Sequence, residues 1–148
     1  MNILIEINRQ VKFRKFKNFD LYLQKITQKA LNLQKYRKNC YSISLLICND
    51  NTIQELNHQF RGKNKPTNVL SFPDGDRFDG KILLGSIAIS VETVKNEAKH
   101  QKKPFKTHFL HMFCHSILHL LGMNHEQEQE RVEMEKTEDQ IMDYISKL

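Results

Sequence analysis

The chain has 148 residues, of which 39% are hydrophobic and 27% are charged. This length and composition favour one soluble globular domain over residues 1–148. No apolar run approaches the ~20 residues of a membrane span, and the N-terminus lacks the basic start and apolar core of a signal peptide. The three cysteines are an odd number without a C-x-x-C pair, which favours reduced thiols in a cytoplasmic protein.

The net charge of +6 is unevenly distributed along the chain. A basic run contains ten basic residues against Asp20 alone: Arg9, Lys12, Arg14, Lys15, Lys17, Lys25, Lys29, Lys35, Arg37 and Lys38. Residues 126–139 instead carry seven acidic residues against two basic ones. A basic face attracts a polyanion through counterion release. The run therefore predicts a nucleic-acid contact, with a merely solvated lysine-rich surface as the alternative.

The first half of the chain alternates strands and helices. The predicted elements are a strand over residues 2–8, a basic amphipathic helix over 19–36, a strand over 41–48 and a short helix from Thr52 to about Phe60. Apolar side chains at helical spacing predict the first helix. Thr52 followed by Glu55 matches a capping box, which predicts where the second helix begins.

The second half changes from strands to helices. The predicted elements are a basic loop over residues 61–66, a strand over 69–72, a turn over 73–76, a strand over 82–89, and helices over about 90–101, 107–121 and from Gln127 onward. Gly85 lies inside a predicted strand, where glycine often marks the close approach of a ligand or another backbone. The pattern predicts an α+β domain with a mixed four-stranded sheet and about five helices, one of them the metal helix packed on the sheet.

Three histidines give the clearest chemical signal. His115 and His119 are four residues apart, so they share one helix face and can bind one cation. Gly122 can adopt the left-handed conformation that ends a helix, which lets His125 return as a third ligand. Three imidazoles with an open fourth position are typical of catalytic zinc sites, although nickel or copper would also bind. The alternative is three unrelated histidines on an amphipathic helix.

The histidine spacing overlaps the zinc-peptidase pattern H-E-x-x-H-x-x-G-x-x-H. Ser116, however, occupies the position of the glutamate that takes the proton in those peptidases. A serine hydroxyl is a poor base at neutral pH. The sequence therefore predicts a zincin-like metal helix without peptidase machinery.

Two blocks of sequence together resemble the YbeY family of metal-dependent endoribonucleases, which mature ribosomal RNA. The first block is L-N-H-Q-F-R-G-K-N-K-P-T-N-V-L-S-F-P over residues 56–73. The second comprises Leu84-Gly85, His111-Met112, the histidine motif, and an acidic tail with Met134 and Ile141-Met142. The resemblance covers roughly residues 52–146.

The resemblance implies a zincin-related fold with a four-stranded mixed sheet. It also implies one metal ion, usually zinc, on His115, His119 and His125. The implied activity is single-strand-directed endoribonuclease cleavage, with roles in maturing the small-subunit ribosomal RNA 3′ end and in ribosome quality control. Implied partners are single-stranded ribosomal RNA and ribosomal particles, with small-subunit ribosomal proteins as candidates. An arginine that the family uses for RNA corresponds to Arg61.

The basic residues from Arg61 to Lys65 suit phosphate binding. A guanidinium matches phosphate geometry with paired donors, so Arg61 is the candidate catalytic residue beside the metal ligand His115. Lys63 and Lys65 would bind flanking RNA phosphates. The alternative for Arg61 is a helix-end arginine that satisfies the last carbonyls. His111 either contacts a ligand or carries a proton, or else packs in the helix, and no residue stands out as the general base.

The chain departs from the family pattern at two places. Gly85-Ser86 stands where the family usually has Gly-Asp, and Met123-Asn124 stands where it usually has Tyr-Asp. A carboxylate near a metal-binding histidine raises its basicity and fixes its tautomer. The departures therefore predict weaker metal affinity or slower turnover. The alternative function is a non-catalytic ribosome-assembly or RNA-binding factor that keeps a structural metal.

Overall fold

The structure is a computed structural model that describes residues 1–37 and 39–148; Lys38, a member of the basic run, lies outside the described residues. The strands are β1 Asn2–Arg9, β2 Cys40–Cys48, β3 Val69–Pro73, β4 Arg77–Phe78 and β5 Lys81–Ser90. The helices are α1 Phe19–Leu33, α2 Asp50–Arg61, α3 Val91–His100, α4 Phe105–Leu120 and α5 Glu128–Ser146. No helix in these two ranges is both long and apolar enough to cross a membrane.

The strands form one mixed sheet in the order β1-β2-β5-β3. β1 and β5 run parallel to β2, while β3 runs antiparallel to β5. The two-residue strand β4 pairs antiparallel with the start of β5, with Arg77 opposite Ile82. The prediction of an α+β fold with a mixed sheet is confirmed, and β4 adds a fifth, very short strand to the predicted four.

Different helices pack on the two faces of the sheet. On one face, alternate residues of β2 such as Ile43 and Leu45 join a buried core with apolar residues of α1, α3, α4 and α5. On the other face, Cys48, Leu70 and Ala88 pack with Ile53 of α2. This alternation follows from the period of two along a strand. The helices α1, α3, α4 and α5 therefore lie on one side of the sheet and α2 lies on the other.

The predicted capping box at the start of α2 is wrong. The helix begins at Asp50, and Asn49 is its N-cap, with its side-chain oxygen accepting from the Thr52 backbone N–H at 3.0 Å. Residues 49–52 all have side chains that favour helix starts and turns, so the sequence offers several competing caps. The first of them in the chain is the one used.

Gly85 is where the sheet and the metal helix meet. It adopts φ +143°, and a Cβ placed there would lie 2.3 Å from the Phe72 carbonyl oxygen and 2.9 Å from Leu120 Cδ2. The predicted close approach is therefore to the backbone of β3 and to a side chain of α4. The expected packing of α4 on the sheet is confirmed, and Cys114 of this helix is fully buried in the core.

Candidate metal centre

The end of α4 brings three imidazoles together. Gly122 adopts φ +97°, and the Met123 N–H donates to the Leu118 carbonyl at 3.0 Å, so the helix ends in the left-handed turn that the sequence predicts. The chain then returns, and one ring nitrogen from each of His115, His119 and His125 lies within 4.8 Å of the other two. The structure thus assembles the predicted ligand set.

The outer nitrogens of two of these rings are held by acceptors. His115 Nδ1 lies 2.8 Å from Glu138 Oε1, and His119 Nδ1 lies 2.9 Å from the Met123 carbonyl oxygen. A carbonyl or a carboxylate can only accept, so both Nδ1 atoms carry the hydrogen and donate it. The Nε2 atom of each ring therefore faces the centre of the cluster, and a ring in its neutral form offers a lone pair there.

This arrangement fits a cation. The Nε2 atoms of His115 and His119 face each other at 3.0 Å, and two lone pairs at this distance repel unless a positive ion or a proton lies between them. Burial, and then the positive charges of His115, His125 and Arg61, lower the pKa of His119 to about 4. His119 is thus neutral at pH 7, which is the form that binds metal. Three neutral imidazoles are a donor set that zinc accepts.

Glu138 is the functional residue that the sequence analysis missed. It belongs to α5, is 5% exposed, and lies 3.5 Å from His111 Nε2 as well as 2.8 Å from His115. Burial alone would raise the pKa of Glu138, but the hydrogen bonds and charges of both histidines outweigh it and lower the pKa to about 2. A metal-binding histidine commonly donates its second ring N–H to a carboxylate, which fixes the tautomer and the orientation of the ring. The sequence does contain an indication of this role. Glu138 lies at helical spacing from Met134, Ile141 and Ile145, so a charged residue falls on the buried apolar face of α5.

The cluster opens into a cavity of about 500 Å³ between α4 and α5. Its lining includes His111, His115, His125, Met134, Glu138 and Asp139. His111 is half-buried on this wall, so of the two alternatives for His111 the structure has the one in which it faces the site. The cavity therefore reaches two of the three imidazoles, those of His115 and His125.

The basic loop lies at the end of α2. Gly62 closes the helix at φ +70°, and the Asn57 side-chain amide donates to the Lys65 carbonyl at 2.9 Å. Arg61, Lys63 and Lys65 are all exposed on this loop. In residues 1–37 and 39–148 the Arg61 guanidinium donates to no helix carbonyl, so the alternative of a helix-end arginine finds no support. Arg61 lies close enough to His119 for its charge to act, after burial and nearer histidines, in lowering the pKa of His119.

The remaining candidate residues lie apart from the cluster. Ser116 is buried, and its hydroxyl donates to the Met112 carbonyl at 2.9 Å, so it cannot act as a base. Ser86 lies beside Glu6 and Ser44 on the sheet face that packs against α2, in a part of that face that α2 does not cover. Asn124 is exposed. No described contact joins Lys63 or Lys65 to the histidines.

Comparisons with known proteins agree with this geometry. The family model described as Endoribonuclease YbeY matches residues 5–146. Endoribonuclease YbeY of Bartonella henselae is 43% identical over 139 residues, covering 87% of this chain and 86% of that protein. The Ehrlichia chaffeensis protein of the same name is 36% identical over 146 residues, covering 96% and 93%.

A solved structure shares the fold. The solution structure of TM1509 from Thermotoga maritima matches with a TM-score of 0.62 and 26% identity, over 96% of this chain and 89% of that one. The match of the family model and the identity to the curated relatives extend over most of the chain. The chain therefore belongs to the YbeY family, and this membership supports an endoribonuclease role.

Proposed function

We propose that the protein is a single-strand-specific, metal-dependent endoribonuclease that acts in the cytoplasm on the 3′ end of small-subunit ribosomal RNA and in ribosome quality control. Family membership supports nuclease activity. The observation that carries the metal dependence is the pair of facing Nε2 atoms of His115 and His119, 3.0 Å apart. The proposed partners are ribosomal RNA, ribosomal particles and small-subunit ribosomal proteins.

His115, His119 and His125 would hold one zinc ion. When bound, zinc supplies Lewis acidity toward a phosphodiester and its attacking oxygen. Glu138 keeps His115 in the tautomer that offers Nε2, and the Met123 carbonyl does the same for His119. The protein thus contributes a fixed set of neutral donors at the end of α4.

Arg61 would bind the phosphate at which cleavage occurs. Its guanidinium is exposed and carries paired donors for phosphate oxygens. Lys63 and Lys65 would hold neighbouring phosphates as point charges, because the Asn57 amide fixes the backbone of their loop. Charge that develops on the phosphate then meets cations that are already in place.

His111 is the candidate proton carrier. Its ring lies in the cavity, with Nε2 3.5 Å from Glu138. A half-buried imidazole beside a carboxylate can take a proton at one step and return it at the next. Replacing His111 by Gln would then lower turnover while leaving the three ligand rings unchanged.

The cavity beside the cluster supports single-strand specificity. A space of about 500 Å³ lies between two helices, and its α5 wall carries Arg131 as well as Glu135, Glu138 and Asp139. One unstacked nucleotide can enter such a space, whereas the bases of a duplex stay stacked inside the helix. Bases splayed out of a strand are the common form of RNA recognition.

The test compares cleavage of single-stranded and duplex RNA by the wild type, His115→Ala and Arg61→Ala, with metal analysis of each purified protein. The control is His100→Ala, since His100 is an exposed histidine on another helix whose ring hydrogen-bonds to the Asn96 carbonyl. We expect zinc and single-strand cleavage in the wild type and control, zinc with strongly slowed cleavage in Arg61→Ala, and loss of both zinc and cleavage in His115→Ala.

Other outcomes would contradict the proposal. A wild type that cuts no RNA under several metals, yet still binds ribosomal particles, would favour the non-catalytic assembly factor with a structural metal. Digestion of casein with added zinc would favour a peptidase. In cells lacking the protein, small-subunit RNA with unprocessed 3′ ends should accumulate, and His115→Ala should fail to correct this.

A further inference from the structure

The segment between β1 and α1 is fixed by aromatic side chains. The Phe13 ring lies 5.5 Å from that of Phe19, 5.6 Å from Phe109 and 6.2 Å from Phe105, and Phe16 lies 5.1 Å from Phe19. Aromatic pairs at these separations are favourable beyond the area they bury. A segment without regular secondary structure is thereby fastened to the first turns of α4.

The same packing turns the basic residues of this segment outward. Lys12, Arg14 and Lys17 alternate with the aromatic anchors and are exposed. Lys15 is paired with Asp20 at 3.0 Å. No carboxylate in the described part of the chain forms an ion pair with Lys12, Arg14 or Lys17. Three cations of the basic run thus stand on a fixed support without a neutralising partner.

Helix α3 adds another positive charge beside the basic residues of this segment. Arg9, Lys12 and Arg14 line a groove of about 630 Å³ together with Lys95 of α3, with Val11 and Phe13 between them. The Arg9 guanidinium also donates to the Phe13 carbonyl at 3.3 Å, which holds one side of the groove. Every charged residue in this lining is a cation, and Lys95 is far from the basic run in sequence.

The groove is separate from the metal centre. Its anchor Phe13 contacts Phe105 and Phe109 near the start of α4, whereas the histidines lie at the other end of that helix. At ~1.5 Å per residue, the axial distance from Phe105 is about 15 Å to His115 and about 21 Å to His119. A stacked single strand with ~3.4 Å per phosphate would cover this distance with about five or six phosphates.

We infer that this groove, formed by Arg9, Lys12, Arg14 and Lys95, is a second RNA site that binds the phosphate backbone of a single strand remote from the cut. The inference rests on the proposed function, because it takes the substrate to be RNA. Cations on a fixed support bind a polyanion without sequence preference, by releasing its counterions. The site would raise the affinity for long strands and leave the chemistry at the histidines unchanged.

The test variant is the triple substitution Lys12→Gln, Arg14→Gln and Lys95→Gln, in which Arg9 and its backbone contact are retained. The control is Lys102→Gln, Lys136→Gln and Lys147→Gln, which removes the same number of positive charges from exposed positions outside the groove and outside the basic run. Circular dichroism and urea unfolding establish that both variants fold. A difference between them then reports the position of the charges rather than the net charge.

Binding is measured first, without cleavage. The full-length proteins are titrated into a labelled single strand of about twelve nucleotides in the presence of EDTA over a range of salt concentrations. Losing three phosphate contacts should reduce the slope of log K against log salt by about 2, at ~0.7 per contact for single strands. The control should keep the wild-type slope.

Cleavage is measured second, with the zinc-loaded proteins. For the long strand, KM of the test variant should rise on the order of tenfold with kcat unchanged. For a trinucleotide, which is too short to reach the groove, both constants should equal those of the wild type.

The two measurements separate this inference from the proposed function. Equal salt slopes for the test variant and the control would overturn the second RNA site, whether or not RNA is cut. A wild type that cuts nothing would refute the nuclease proposal, while a slope change confined to the test variant would still support the groove. Unchanged RNA binding with loss of ribosomal-particle binding would assign the groove to an acidic protein instead.

Discussion

Oε1 of Glu138 lies 2.8 Å from Nδ1 of His115, and this hydrogen bond joins α5 to the metal helix. The sequence pattern had suggested that carboxylates near the site were lost at Ser86 and Asn124. Glu138 supplies such a charge from another element, and its lowered pKa keeps it ionised throughout the neutral range. The departures from the family pattern therefore leave at least one ligand with a charged partner.

Replacing Glu138 by Gln should weaken metal binding. The amide keeps the shape of the side chain but removes the charge that makes His115 a better donor. Loss of such a partner costs about 10–100-fold in metal affinity or activity. Competition of the purified protein with a chromogenic zinc chelator measures the affinity directly.

The matched control for this substitution is Glu135→Gln on the same helix. Glu135 is exposed and pairs with Arg131 at 2.8 Å, so its replacement should change zinc affinity little. Equal affinities for Glu138→Gln and the wild type would show that the hydrogen bond to His115 does not support the metal.

Arg61→Ala should separate binding of the metal from catalysis. The guanidinium contacts no ligand ring in the described structure, so zinc content should stay at the wild-type level. Cleavage of single-stranded RNA should fall on the order of 10²–10³-fold in kcat, as when one donor to a developing charge is removed. Arg61→Lys should restore only part of the rate, because an ammonium lacks the paired donors. Wild-type turnover in Arg61→Ala would remove the residue from the proposed site.

The metal-free protein should lose stability as the pH falls. The pKa of His119 is about 4 in the folded protein against 6.5 in the unfolded chain, so the unfolded chain binds the proton first. The contribution of His119 to the free energy of unfolding is complete above pH 6.5 and is lost between pH 6.5 and about 4. The contribution of Glu138 is complete above pH 4.5 and is lost between 4.5 and about 2.

Urea unfolding of the chelated protein at several pH values tests the His119 window. The variant His119→Gln lacks this imidazole, so its free energy of unfolding should change less than that of the wild type between pH 7 and pH 4. Parallel curves for the two proteins would show that His119 does not keep its lowered pKa in solution.

Gly85→Ala should destabilise the protein and weaken the site together. The new methyl group would meet the Phe72 carbonyl oxygen and Leu120, and the residue would keep a positive φ. Strain of this kind costs about 1–3 kcal/mol before the clash is added. Gly80→Ala is the control, since φ there is +75° but no atom lies within 4 Å of the new Cβ. Urea unfolding and zinc titration should both show the larger loss in Gly85→Ala.

Local patterns predicted much of the fold. The positions of β1, β2, β3 and β5 follow from runs of apolar and β-branched residues, and each helix from its apolar spacing. The start of α2 was misplaced because Asn49, Asp50, Asn51 and Thr52 are all good caps, and only tertiary packing selects one. The strand β4 was missed because two residues are too few for any period to show.

The candidate site was predictable where its residues are close in sequence. His115, His119 and His125 are joined by one helix and one turn, so their spacing alone indicates that they meet. Glu138 joins them only through the packing of α5 on α4, which no local spacing encodes. Lys95 likewise reaches Arg9 and Arg14 only because α3 packs beside the first turns of α4.

The hydrogen bond from His115 to Glu138 also has a consequence for biosynthesis. A ribosome makes α5 after every other part of the site, so a nascent chain that already contains all three imidazoles still lacks the carboxylate that orients one of them. The orientation of the His115 ring is thereby completed only after α5 has been made and has docked on α4.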